Sequence, residues 1–491
     1  MARIVIVGGG VSGLSAGIYG LMSGHEVTIC EKNRVAGGNL TGWRRGEYYI
    51  DNCIHWLTGT NERTDGYRRW EALGALGGVK IHQGESLFTV EAAGDRLSLW
   101  RALPRRERDM LRLSPEDAGE IKRLVGAIRA ASLLSGADGK RGAWERAATI
   151  PRLAYYYPLS TGALARKFRN PLLKRFIIGF LGERFGALGF IVMAATFTSG
   201  NGGIPEGGSL AMAERMARRF VSLGGDLRLS ARVGRIITEG KRASAVILSD
   251  AERIEADAVI IATDPAAAFG KIICAPMPRG LERRCRGRGL ERFSSFHQAF
   301  ACKGNAGFSA DVLIDVPREY RSVIKSDLVL LREFSHEPSS APRGEVMLQA
   351  MEPCTEAEAT ADICLYASDK AAYREAKRSR AAAVEYLITE SLPELKRRIT
   401  LVDAWGPSTY KRYTGAPCGA YMASCLPAAY LPRRAKSRAA GFENLYVATQ
   451  WQSLPGGLPT AADCGIAAIY AINKDMKVEG VGEKKTAITV E

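Results

Sequence analysis

The run Arg3-Ile4-Val5-Ile6-Val7-Gly8-Gly9-Gly10-Val11-Ser12-Gly13, answered by His25-Glu26-Val27-Thr28-Ile29-Cys30-Glu31, decides the fold. Residues 3–7 form a short β-branched stretch, the pattern of a buried parallel strand. Gly8-Gly9-Gly10 breaks it. Val11 to Ser23 is rich in small residues and reads as a helix, and residues 25–31 read as a second strand. Strand, glycine turn, helix, strand and terminal acid follow one another in about 30 residues, the order of a dinucleotide-binding unit. Each glycine has its own task. Gly8 permits the tight turn. Gly10 lets backbone approach a pyrophosphate. Gly13 lets helix and strand pack. Val11 and Ser12 open the helix, whose free N–H groups and positive dipole end face phosphate. Glu31 is placed to accept hydrogen bonds from a ribose.

Outward from this unit, Gly46 to Ile54 suggests a hairpin strand and residues 61–78 a helix. Residues 84–103 alternate as antiparallel strands do. Residues 115–200 read as mainly helical. A second glycine cluster, Gly200 to Gly208, precedes a helix near 209–223. Residues 226–229, 243–248 and 258–263 look like further strands of the first sheet. Residues 266–430 mix helices and strands without a nucleotide motif. A short strand at 445–448 leads through Gly456-Gly457 into a small-residue helix near 460–472.

The composition, 46% hydrophobic and 24% charged, is that of a globular chain. Its charge is +16, from 68 Lys+Arg against 52 Asp+Glu. Part of the excess clusters at Arg101 to Arg112, at Arg166 to Arg175 and at Arg433 to Arg438. Such fields attract anionic membranes or acidic ligands, or simply solvate helix faces. No zinc-finger, RRM or helix-turn-helix signature accompanies them, so nucleic acid is not the expected partner. The ten cysteines show no CxxC pair, and the five histidines no pairing at helical spacing, so no metal site is expected. Met1-Ala2-Arg3 leads straight into a strand with no signal peptide, which implies a cytoplasmic protein. Pro171 to Leu181 joins basic and apolar residues. It is either buried core whose charges solvate its edge or a face that lies on the inner side of a membrane as a peripheral contact.

Three blocks in order, residues 4–57, Gly203-Ile204-Pro205-Glu206-Gly207-Gly208 through Ala262-Thr263-Asp264-Pro265, and residues 441–472, resemble the phytoene desaturase, carotenoid isomerase and retinol saturase group of the amine-oxidase-like FAD superfamily. The resemblance implies an α/β fold: a Rossmann-like FAD-binding domain with an interleaved α+β substrate domain. The FAD domain takes residues 1–80, 203–265 and 431–475, the substrate domain 81–202 and 266–430, and residues 476–491 form a tail. It implies FAD as cofactor. Lys32 would join Glu31 in holding the cofactor, and Gly37, Gly38 and Asn39 would lie along the pyrophosphate and ribityl chain. Val233, Ala262, Thr263 and Asp264 would line the adenine side. Gly457, Leu458, Pro459 and Asp463 would sit at the ribityl and flavin end.

For chemistry, His55 in Asp51-Asn52-Cys53-Ile54-His55-Trp56 is the candidate proton donor or acceptor, or a structural histidine beside Trp56. Asp51 reads more readily as a cap than as a base. Tyr413 and Tyr421, in a set with Tyr410 and Tyr430, are candidate aromatic walls or core packing. The implied activity is desaturation or saturation of a carbon–carbon bond in an apolar isoprenoid, polyene or lipid-like substrate, with NAD(P) or a quinone as candidate electron partner. Flavin-dependent isomerisation and amine oxidation are the alternatives. A non-enzymatic role like that of GDP dissociation inhibitors would need an eroded phosphate turn, and this turn is intact.

Overall fold

The structure, a computed structural model, describes residues 1–92, 94–135, 143–287, 289–430 and 433–477. Most of the expected tail, and the boundary drawn at 431, lie outside the described residues.

The strand Arg3–Val7 is buried on both faces after Arg3. It pairs in parallel with Glu26–Cys30 on one side and Ala258–Ile261 on the other. Asp226–Arg228 and Leu445–Val447 complete a five-stranded parallel sheet. Three distant stretches of chain therefore build one sheet. The stretch at 243–248 does not join it. Arg242–Leu248 pairs antiparallel with Val233–Glu239 and Arg253–Glu255 as a separate small sheet, because its hairpin register consumes its ladder on both edges.

A seven-stranded sheet carries the other half of the molecule, in the order Ile399–Trp405, Ser294–Lys303, Glu345–Cys354, Leu328–Glu333, Asp311–Asp315, Ser86–Ala92 and Asp95–Trp100. Side chains alternate across a strand. Val346, Leu348 and Ala350 accordingly pack one way, with Val384, Leu387 and Ile388 of the helix Lys370–Ser391. The intervening Gln349 and Met351 line a cavity with residues 51–55.

The helix Asp65–Ala72 is shorter than the expected 61–78. The helical stretch after residue 115 packs its apolar residues inward. Leu172, Leu173, Phe176 and Ile177 of the helix Pro171–Ile178 are all buried beside Phe88 and Phe190. Arg175 pairs with Asp315. Of the two readings of that segment the structure supports core, since its apolar side is buried. The first basic cluster is likewise not all solvated. Arg106 is fully buried and donates to the Trp100 carbonyl and to Thr198 Oγ1 at 3.0 Å. Among the described residues no helix is long and apolar enough to cross a membrane.

Candidate active site

At the end of the first strand Gly8 adopts φ +110°, and its N–H donates to the Cys30 carbonyl at 2.9 Å. A Cβ on Gly13 would fall 2.0 Å from the Gly8 oxygen, so helix and turn meet there with no room for a side chain. Gly10 differs. A Cβ there would find nothing nearer than Gly37 O and Gly38 Cα, both at 3.9 Å. It is the N-cap of the helix Val11–Met22, and no side chain caps that helix. Gly37 bridges to Gly10 in parallel, and its N–H donates to the Gly9 carbonyl at 2.8 Å. An open cradle over an uncapped helix N-terminus suits a pyrophosphate.

Glu31 is buried. Its Oε2 accepts from the Gly9 N–H at 2.8 Å, and its Oε1 accepts from the Asn33 backbone N–H at 2.8 Å and Nδ2 at 2.7 Å. The acid is thereby fixed against the turn. Lys32 Nζ donates to the Arg412 carbonyl at 3.2 Å. Val233 is buried at the start of its strand. The Ala262 N–H donates to the Val7 carbonyl at 2.9 Å, and the Thr263 nitrogen lies 3.2 Å from where a Gly8 Cβ would be. Asp264 Oδ1 accepts from the Ala267 N–H at 3.1 Å, while its Oδ2 is buried without a partner. Burial pushes this carboxyl up to about 6.

The helix Leu458–Met476, with Gly457 as N-cap and Pro459 in its first turn, also has no side-chain cap. It lies hard against Val11–Met22, since a Cβ on Gly465 would come within 2.3 Å of the Ser12 oxygen. Asp463 on this helix pairs with Arg69 Nη1 at 2.5 Å, a partner the sequence pattern did not supply.

A chain of hydrogen bonds joins these blocks to the seven-stranded sheet. The Gly457 N–H donates to Gln450 Oε1 at 2.9 Å. Gln450 Nε2 at 3.4 Å and Asn39 Nδ2 at 3.1 Å both donate to the Tyr421 carbonyl. Asn52 Nδ2 donates to the Asn39 carbonyl at 3.2 Å, and Tyr410 Oη donates to Asn52 Oδ1 at 3.0 Å. Tyr410 Oη lies 3.1 Å from His297 Nε2, which lies 2.6 Å from Ser295 Oγ. His297 stacks on Trp405 at 4.9 Å between centroids. Burial pushes it down to about 3, so it is neutral at pH 7. Tyr421 stands beside this group, its ring 6.0 Å from Tyr410. Tyr413 does not. It is 53% exposed, lies under the Arg412 guanidinium, and its carbonyl accepts from Asn33 Nδ2 at 3.3 Å. This corrects its reading as a cavity wall: the chain turns its ring outward at the Glu31 end.

Residues 51–55 bound a small, partly open cavity of about 20 Å³, room for a water-sized group, whose lining also includes His297, Arg332, Gln349 and Met351. Asp51 is structural. It accepts from the Ser209 N–H at 2.6 Å, from Ser209 Oγ at 2.5 Å and from the Cys53 N–H at 3.1 Å, tying the loop to the start of the helix Gly208–Ser222. Arg332 grips the next residues. Its Nη1 donates to the Ile54 carbonyl at 2.9 Å and its Nη2 to the His55 carbonyl at 3.2 Å. The same guanidinium holds Asp311 in a two-point pair, Nε to Oδ1 at 2.9 Å and Nη2 to Oδ2 at 2.7 Å, with both side chains 7% exposed. Although burial alone would raise it, Arg332 and His55 hold Asp311 below the usual carboxylate range. His55 Nδ1 is 3.9 Å from Asp311 Oδ2 and is buried without a hydrogen-bond partner. Burial, then Arg332, lower its basicity, so it is a neutral imidazole at pH 7.

The parallel sheet, the open glycine cradle and the fixed acid define a Rossmann-type dinucleotide enzyme. The family described as flavin containing amine oxidoreductase matches residues 11–472, and the chain belongs to it; its cofactor is FAD. The chain is similar to a phytoene desaturase (lycopene-forming) of Pseudescherichia vulneris, 24% identical, over 61% of this chain and 62% of that protein, less than two thirds of its length. It is 23% identical to a 4,4'-diapolycopene oxygenase of Methylomonas sp, over 93% of this chain and 95% of the relative. It is also 23% identical to the chloroplastic prolycopene isomerase of Arabidopsis thaliana, over 85% and 73% respectively. Solved structures similar to it include an oxidoreductase from Methanosarcina mazei, with TM-score 0.61, 16% identity, and 96% and 100% of the two chains covered. A cyclohexylamine oxidase from Brevibacterium oxydans matches with TM-score 0.58 and 15% identity over 97% and 99%. At these identities the structural likeness is one of fold.

Proposed function

We propose that this FAD-dependent oxidoreductase desaturates or saturates a carbon–carbon bond of an apolar isoprenoid, polyene or lipid-like substrate. The observation that carries the reading is the match, across 93% of this chain, to a protein named for a polyene substrate. Blocks 1–80, 203–265 and 431–475 would hold the cofactor, and 81–202 with 266–430 the substrate. Strand membership in the two large sheets supports that division. In the cofactor domain Gly10, Gly37, Gly38 and the uncapped helix ends would face the phosphates and ribityl chain, Glu31 the ribose, and Val233 to Asp264 the adenine.

When bound, FAD supplies a hydride acceptor or donor at N5. The protein's task is then to position carbon and to move the accompanying proton. His55 is neutral, unpartnered at Nδ1 and able to accept a proton, and Arg332 fixes its backbone. Asp311 beside it would stabilise the imidazolium that forms. Tyr421 and Tyr410 would wall the substrate channel. An electron partner such as NAD(P) or a quinone, and contact with an anionic membrane face through part of the +16 charge, belong to the same reading of a cytoplasmic protein.

Anaerobic mixing with a panel of polyenes, followed by flavin absorbance and product mass, tests it. Bleaching of oxidised flavin with loss of two substrate hydrogens, or recovery of colour from prereduced flavin with gain of two, is expected. The prolycopene isomerase match favours one second reading, isomerisation on the same scaffold, in which product and substrate masses are equal. In a parallel assay in air, peroxide formation from amines without any response to polyenes would overturn both.

A further inference from the structure

Gln349 and His55 line the same cavity, and each has a buried polar atom with no hydrogen-bond partner, the amide Nε2 of one and the imidazole Nδ1 of the other, the latter with Asp311 Oδ2 3.9 Å away. A buried unpaired donor is expensive, and native structures keep few of them without a ligand, water or chemical use. Gln349 is not held there by accident of register. It pairs directly across the sheet with Arg332 on one neighbouring strand and with Ala299 on the other, so its side chain is fixed to the cavity face. The charges around it are already satisfied. Arg332 is neutralised by Asp311, and Asp51 takes three hydrogen bonds from Ser209 and Cys53. His55 and His297 are neutral. What is left over is the Gln349 amide N–H donor beside charges that are already partnered, with Leu330, Phe334 and Met351 as apolar surroundings.

Resting on the polyene reading above, we propose that this cavity binds a neutral oxygen atom of the substrate, a hydroxyl or carbonyl, through Gln349 Nε2, leaving His55 Nδ1 free for the proton step. The substrate class is therefore an oxygen-bearing isoprenoid rather than a pure hydrocarbon. A carboxylate would meet no uncompensated cation among the lining residues. An ammonium would meet the Gln349 donor and the Arg332 guanidinium, with no unpaired carboxylate to receive it.

The test is anaerobic binding to the oxidised holoprotein in detergent, read by perturbation of the flavin spectrum. Two matched pairs are used, farnesene against farnesol and lycopene against a hydroxylated lycopene, with farnesylamine as the charged control. The hydroxylated member of a pair is expected to bind about tenfold tighter, the worth of one hydrogen bond, and farnesylamine no tighter than farnesene. Gln349→Leu should erase that preference while leaving FAD content and hydrocarbon affinity unchanged. Should that variant fail to fold, Gln349→Glu, which replaces the donor by an acceptor, should abolish binding of the aldehyde farnesal, which can only accept, while farnesol, which can donate, still binds. Equal wild-type affinity within each pair would mean that the cavity holds only water, which overturns the inference and leaves the polyene reading standing. A Gln349→Leu variant that weakens both members equally would overturn it too. If no member of either pair binds, the polyene reading itself falls, and this inference with it.

Discussion

At the parallel sheet the surfaces offered to a ligand are backbone, while at the seven-stranded sheet they are side chains. Around Gly8, Gly10 and Gly37 the absence of Cβ atoms leaves room beside an uncapped helix end, and the groups in the proposed cofactor cradle are backbone N–H and C=O. Around Arg332, Gln349 and His297 the presence of particular heads makes it. The first kind of site tolerates almost no added atom. The second tolerates shape changes but not the loss of one member of a pair. The difference teaches where each half is vulnerable, and variants can press on it from the most to the least disruptive.

Gly13→Ala should be the most damaging, because its Cβ would lie 2.0 Å from the Gly8 oxygen. No folded, yellow protein is expected. Gly10→Val is its partner test. The protein leaves 3.9 Å of clearance there, so the variant should fold, with a circular dichroism spectrum like wild type, yet purify without FAD. A Gly10→Val protein carrying a full complement of FAD would break the assignment of the cradle.

Next comes Arg332→Leu, which strands the buried Asp311 carboxylate and frees the Ile54 and His55 carbonyls. A loss of about 3–5 kcal/mol in chemical denaturation is expected. Adding Asp311→Leu should recover much of it. A double variant no more stable than the single would show that the carbonyl contacts, not the charge pair, carry the effect.

Asp264 gives a smaller, pH-dependent effect. Its carboxyl titrates at about 6 in the folded protein against an ordinary 3.8, so folding disfavours the charged form. The penalty is absent below about pH 4, grows between about pH 4 and 6, and is complete above. Asp264→Asn keeps an acceptor for the Ala267 N–H. It should stabilise the apoprotein by about 3 kcal/mol at pH 8 and by nothing near pH 4. Equal shifts in Tm at both pH values would refute this. Smallest of all, Tyr413→Ala should change stability by less than about 0.5 kcal/mol, as exposed substitutions do, and leave turnover intact. A large loss of turnover would return Tyr413 to the active site.

The same contrast explains what could be read from the sequence. The glycine turn and Glu31 were legible because their chemistry is local: the Gly9 N–H and the Glu31 carboxylate are 22 residues apart within one βαβ unit. The division of strands between sheets was only partly legible. Arg242–Leu248 carries the same aliphatic signature as a parallel strand, and only its pairing partners distinguish it. The cavity was illegible beyond His55 and its neighbours. Arg332 reaches the Ile54 carbonyl across 278 positions, and Gln349 reads simply as a polar residue in an apolar strand. His297 was noted only as unpaired in sequence, since its partners Ser295 and Tyr410 announce nothing until the sheet brings them together.

The close seating of Leu458–Met476 on Val11–Met22 has a consequence for the order of assembly. The first helix emerges from the ribosome early, but the surface made by Ser12 and Ala16 stays bare until Gly465 has been synthesised. The edge strand Leu445–Val447 likewise cannot add to the sheet until the same late moment. Contacts of such long sequence separation form slowly and leave apolar surface exposed in the meantime. Halted synthesis or a stop codon before residue 458 should therefore release an aggregating chain, not a smaller working enzyme. Cofactor supplied late in refolding should be as effective as cofactor supplied early.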